Sequence, residues 1–130
     1  MEELLVISVT AKPGADFAGY DLLQAITATG MQFGSMNIFH YVKDSKTLFS
    51  MASATKPGEF DIDRMGAFAC GGLTLFMNYR EVPDAKYAFD LMVKTAEQLA
   101  DDLDGELRAG QRIPLTQEIL QQYENKILAL

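Results

Sequence analysis

Four stretches of the chain alternate between heavy apolar positions and lighter ones that are part apolar and part polar. One set of alternate positions carries Leu5, Ile7 and Val9, then Phe39 and Tyr41, then Phe49 and Met51, then Leu73, Leu75 and Met77. The positions between them carry Leu4, Val6 and Ser8, then Met36, Ile38 and His40, then Ser50, Ala52 and Ala54, then Thr74, Phe76 and Asn78. Successive side chains along a strand point to opposite faces, so the pattern predicts one sheet with a heavy face and a light one. The strands fall at about 4–10, 36–42, 47–54 and 73–79. The second and third are joined as a hairpin through Lys43-Asp44-Ser45-Lys46.

Helical spacing replaces alternation in three places. Leu22, Leu23 and Ile26 form a stripe between about 19 and 29, and Gly30 suits the left-handed position after a helix end. The longest stripe runs Tyr87, Ala88, Leu91, Met92, Thr95, Leu99 and Leu103, with Asp84 as its expected N-cap and Gly105 as its end. Glu106–Arg108 and Gln111–Ile113 flank Ala109-Gly110, the separation of a tight hairpin. Thr116 then caps a final helix carrying Ile119, Leu120, Tyr123 and Ile127. A short helical turn is expected near 61–65.

The predicted order, β-α-β-β-β-α-β-β-α, implies an α+β fold: a split β-α-β sandwich with an antiparallel sheet of about six strands and three helices on one face. The heavy face supplies enough apolar residues to occupy every helix. The light face is therefore expected to remain uncovered, with Ser50, Ala52 and Ala54 as the floor of a shallow depression walled by Met36 and Phe76. An uncovered apolar face of this kind usually takes a partner, and methionine lets it adapt.

Composition narrows the class of partner. The chain has 130 residues, 48% of them hydrophobic and 22% charged, which fits one domain, 1–130, with a core that needs neither disulfide nor metal. A net charge of -7 argues against a nucleic-acid backbone as partner. A lone cysteine, Cys70, can make no internal disulfide and suits a reducing compartment. No apolar run approaches the roughly 20 residues that span a bilayer. The start, Met1-Glu2-Glu3, is acidic and unlike a secretory leader.

Catalytic chemistry is not legible. His40 is alone on its strand, with no carboxylate or cysteine beside it in sequence to tune it, and is read as a groove-edge residue. Cys70 is read as a buried or loop thiol. Asp101, Asp102, Asp104 and Glu106 lack the spacing of a calcium loop and are read as a solvated helix end. Phosphate-cradling glycines, nucleophile elbows and zinc spacings are missing. The expectation is a binding domain without catalytic residues, metal or cofactor. The favoured ligand is an amphipathic helix or extended peptide offering a few large apolar side chains. The alternatives are a small metabolite or sensor domain using the same cleft, and a homodimer pairing its open faces.

The run Phe33-Gly34-Ser35-Met36-Asn37-Ile38-Phe39-His40 resembles the F-G-D-M-N-I-Y-H segment of the ZipA C-terminal domain family of bacterial cell division. Leu48-Phe49-Ser50-Met51-Ala52 and Lys56-Pro57-Gly58-Glu59-Phe60-Asp61 are similar to its L-F-S-L-A and K-P-G-T-F-D. Leu73-Thr74-Leu75-Phe76-Met77 resembles V-T-I-F-M, and Thr116-Gln117 falls where the family has T-P-Q. The resemblance covers nearly the whole chain in order, with one insertion between Asp61 and Leu73. It implies a domain that holds the C-terminal tail of FtsZ, part helical and part extended, on an uncovered sheet face. By matching position, the peptide-binding residues would be Leu4, Val6, Ser35, Met36, Ile38, Ala52, Ala54, Lys56, Thr74 and Phe76, with Ser35 and Lys56 at the rim. Two positions depart from the family pattern: Ala54 stands in place of methionine, and Ser35 in place of aspartate. The resemblance further implies a monomeric domain on the cytoplasmic face of the inner membrane at the division site. There it would tether FtsZ filaments through an N-terminal anchor and linker that this sequence does not contain.

Overall fold

The computed structural model describes residues 4–110 and 112–130, so the acidic start at residues 1–3 and Gln111 of the expected hairpin lie outside the described residues. Alternation becomes strand wherever it is sustained: β1 (Leu4–Thr10), β4 (Phe39–Lys43), β5 (Lys46–Ser53) and β7 (Gly72–Asn78). Between them come β2 (Phe17–Ala18), helix α1 (Gly19–Thr29), β3 (Gln32–Phe33) and β6 (Ala69–Cys70). Helix α2 (Ala85–Leu103), β8 (Glu106–Ala109), β9 (Ile113–Pro114) and helix α3 (Gln117–Leu128) complete the order. Seven strands form one sheet in the order β3-β4-β5-β7-β1-β8-β9, every neighbouring pair antiparallel, while β2 and β6 make a separate two-stranded ribbon. The fold is α+β, as the pattern predicts; the extra strands are two-residue pairs too short to show a period.

The heavy face is the core. Leu5, Ile7, Val9, Met51, Leu73 and Leu75 are fully buried, packed with Leu22 and Ile26 of α1 and Met92 and Leu99 of α2. Helix ends follow their expected chemistry. The Asp84 carboxylate accepts from the Tyr87 N–H at 3.1 Å, and the Thr116 hydroxyl accepts from the Ile119 N–H at 3.2 Å. Gly30 is left-handed at φ 85°. At the end of α2 the left-handed residue is Asp104 (φ 56°), not the expected Gly105. Gly105 is required for space: a Cβ there would lie 3.0 Å from Val9 Cγ1 and Phe17 Cζ. The β4–β5 hairpin turns through Asp44 and Ser45, both at positive φ, the two-residue connection that suits the sheet twist. The last hairpin differs from expectation. Arg108 pairs with Pro114 and Ala109 with Ile113, so the connection is residues 110–112 instead of Ala109-Gly110.

Helix α3 lies beside α2, where the rings of Phe89 and Tyr123 meet edge to face at 6.2 Å. Its Tyr123 hydroxyl donates to the Val6 carbonyl at 2.9 Å. Strand β8 meets β1 only along Ser8–Thr10, so Tyr123 satisfies a backbone acceptor on the part of β1 that β8 leaves open.

Candidate functional site

The light face is built by register. Pairing sets His40 opposite Ser50, Ser50 opposite Phe76 and Phe76 opposite Val6, a transverse row across β4, β5, β7 and β1. Beside it, Ala52, Thr74, Ser8 and Arg108 make a second row. Phe76 thus stands at the centre of the face, between a serine and a valine, with Ala52 and Thr74 close by. Leu4 is 41% exposed, and Val6, Ala52, Ala54, Thr74 and Phe76 are all partly exposed, whereas their heavy-face neighbours are not. Leu4 and Phe76 also border a hollow of about 280 Å³, with Leu48, Ser50, Asn78, Glu81 and Val82 among its other walls. The Ala54 N–H donates to the Gly72 carbonyl at 2.9 Å, which keeps Ala54 on the sheet just past the end of β5. Exposed Lys56 follows in the turn after it.

The segment before β4 departs from expectation. A strand from residue 36 is predicted, but Ser35–Asn37 form a 3-10 turn, and β4 begins only at Phe39. Met36 and Asn37 are left-handed, at φ 64° and 57°. Asparagine tolerates that region; methionine does so at a cost. Met36 is 75% exposed, while Ile38, expected as a wall of the groove, is only 6% exposed and lies outside the helix-side core. Met36, not Ile38, is therefore the apolar side chain this segment presents.

His40 is partnered after all. Its Nδ1 lies 2.7 Å from Ser50 Oγ, and its Nε2 lies 3.0 Å from the Ser35 carbonyl and 3.4 Å from Ser35 Oγ. A carbonyl only accepts, so Nε2 carries a hydrogen, and in the neutral ring Nδ1 accepts from the Ser50 hydroxyl. No carboxylate is among these partners, and the arrangement holds a loop instead of tuning a base.

A polar wall closes the face at β8. The Arg108 guanidinium donates to Thr10 Oγ1 at 3.1 Å, Glu106 Oε1 at 2.7 Å and the Arg112 carbonyl at 3.4 Å. Ser8 beside it is buried, and its hydroxyl has no partner among the described residues. The sequence reading passed over this wall, although period two does place Glu106 and Arg108 on one face of their strand. It also passed over Leu48, which doubles with Phe49 against Tyr41 where the β4–β5 register shifts.

The Cys70 thiol is buried and donates to the Gly72 carbonyl at 3.3 Å; burial pushes its pKa up, away from nucleophile chemistry. A hollow of about 560 Å³ between α1 and the end of α2 is lined by Asp16, Asp21, Asp102 and Asp104, on other elements than the light face. Among the described residues, no group of histidine, cysteine and carboxylate side chains has metal-holding geometry, and no helix is long and apolar enough to cross a membrane.

Comparison with known proteins adds the context. The family described as "ZipA, C-terminal FtsZ-binding domain" matches residues 3–126. Proteins named cell division protein ZipA from Pseudomonas fluorescens (strain SBW25) and Pseudomonas syringae pv. syringae (strain B728a) are each 40% identical to this chain. Each match covers 98% of this chain and 46% of the relative. The ZipA of Ectopseudomonas mendocina (strain ymp) is 39% identical, with 48% of its length covered. The chain spans about half the length of the curated relatives it matches.

Proposed function

Because this chain belongs to the ZipA C-terminal, FtsZ-binding domain family, we propose that its light sheet face is a docking groove for the C-terminal tail of FtsZ. The observation that carries the reading is Phe76: a large apolar side chain at the centre of a four-strand row, on the sheet face that the helices leave open.

The groove works by apolar contact. Phe76 and Met36 offer the largest surfaces, Leu4 and Val6 form the edge, and Ala52, Ala54 and Thr74 form a low floor on which a peptide backbone can lie close. Ile38 lies buried beside the turn that presents Met36, and Ser35 and Lys56 stand at the rim. Each fully buried Leu, Ile or Phe of the tail contributes about 1.5–3 kcal/mol. Three or four such anchors, set against the cost of association, give an affinity of about micromolar. Binding of that strength becomes effective when the partner is a polymer and many copies engage together. Within a protein as long as its curated relatives, the domain would link FtsZ filaments to the inner membrane at the division site. Ala54, in place of the family's methionine, should make the groove wider or shallower at that end.

The test is titration of the chain with a fluorescent peptide copying the last residues of the host's FtsZ, alongside Phe76→Ala. Saturable binding is expected, weakened by more than ~1 kcal/mol in the variant at nearly unchanged melting temperature. Binding that falls only because the variant unfolds would mark the face as core. A well-folded domain that ignores the peptide would return the metabolite and homodimer readings, and sedimentation at rising concentration decides between those two.

A further inference from the structure

We propose that His40 is a positioning residue for this groove, a clamp that holds the turn carrying Met36 in its left-handed, outward-facing form. The proposal rests on the docking reading above and assigns within it a role to a residue outside the apolar contact set.

The segment it holds buries none of its own side chains. Ser35, Met36 and Asn37 are all exposed and contribute nothing to either buried layer. Met36 combines two unfavourable features, a positive φ of 64° in a residue with a Cβ and an apolar side chain 75% exposed. Neither is repaid within the folded chain, so the surroundings must impose the conformation. They do so at both ends. On one side the Phe60 N–H donates to the Asn37 carbonyl at 2.9 Å. On the other, His40 spans from Ser50 on β5 to the Ser35 carbonyl. The ring also sits against Gly34, where a Cβ would come within 3.3 Å of His40 Cδ2, so the imidazole packs flush on the turn. Without His40 the Asn37 end stays tied, while the Ser35 end keeps only the neighbouring bond from the Gly34 N–H to the Ile38 carbonyl at 3.0 Å. Met36 then samples many positions, and a ligand that needs its side chain must order it on binding.

A double-mutant cycle tests this. The 130-residue chain is titrated with the FtsZ tail peptide as wild type, His40→Ala, Met36→Ala and the pair together, with Phe76→Ala as the reference for the groove. His40→Ala should weaken binding about fivefold, and the pair should bind no worse than Met36→Ala alone, because both changes remove the same ordered side chain. Amide hydrogen exchange of the unliganded chain gives a readout independent of peptide. The Asn37 N–H, held by the Gly34 carbonyl at 3.2 Å, should lose protection in His40→Ala while the β5 amides keep theirs. His40→Gln keeps a side-chain N–H donor for the Ser35 carbonyl and should fall between wild type and alanine; it carries the same cycle if His40→Ala does not fold. Wild-type affinity in His40→Ala, or a loss that adds in full to that of Met36→Ala, would overturn the clamp and leave the docking reading intact. A wild-type chain that fails to bind the peptide would instead overturn the docking reading, and the positioning role with it.

Discussion

Met36 and Ile38 differ by two positions in sequence and by 69% in exposure, being 75% and 6% exposed. Period two puts both on the light face, and both were expected as apolar groove residues. What alternation does not encode is the left-handed pair at Met36 and Asn37, because methionine gives no local warning of a positive φ. Gly34 and Asn37 were the available signals of a turn. His40 was legible as an edge residue but not as a clamp, since Ser35 and Ser50 become its partners only through the β4–β5 pairing. The buried Cys70 and the partly buried Tyr123 contribute to the alkaline limit. The Cys70 thiol and the Tyr123 phenol have ordinary values of 9.0 and 10.0, and burial raises both in the folded chain. The folded state then favours their protonated forms. That contribution is fully present below about pH 9 and is lost as pH rises through the raised folded values. Urea midpoints should fall between pH 8 and pH 11, and less steeply in Cys70→Ala and Tyr123→Phe. Equal slopes in all three chains would place the alkaline sensitivity elsewhere.

At the scale of elements, sustained alternation and helical spacing were the dependable signals, and the caps Asp84 and Thr116 fell where their chemistry required. The two-residue strands β2, β3 and β6 were not readable, because two residues carry no period; they exist through their partners, whereas β9 was expected from Gln111 to Ile113 and runs Ile113–Pro114. Glycine shows how local rule and tertiary contact divide. Gly30 is left-handed with open space around it, whereas Gly19 opens α1 with the Met65 carbonyl directly against the place of a Cβ. Gly30→Ala should cost about 1 kcal/mol, from backbone conformation alone. Gly19→Ala should cost more, about 3 kcal/mol, because backbone must move. Comparable losses in denaturant unfolding would refute the distinction. The attachment of α3 to the sheet is tested similarly. Tyr123→Phe keeps the ring against Phe89 and removes the bond to Val6, at a cost of about 1 kcal/mol. No change in stability would mean that water replaces the hydroxyl at that edge.

On the scale of the whole molecule, the division into a buried face and an open one follows from supply. The heavy positions of four strands match the apolar stripes of the helices, and nothing comparable remains to cover Phe76, Val6 and Leu4. That much was legible because burial on one face is a period-two property. The order of the sheet was not, since β1 sits between β7 and β8, pairings distant in sequence. This order brings Val6, Phe76, Ser50 and His40 into one row, and closes the face at β8 with Arg108 and Glu106. The central claim is that the open face, and not the helical layer, receives the FtsZ tail. The most direct measurement is an NMR titration of the isotope-labelled chain with the tail peptide, followed through backbone amides and methionine methyls. The account predicts saturable shifts at Val6, Ala52, Thr74 and Phe76 and at the Met36 methyl, with α2 and α3 unmoved. Shifts confined to the grooves around α2 and α3, or none at high peptide concentration, would contradict it.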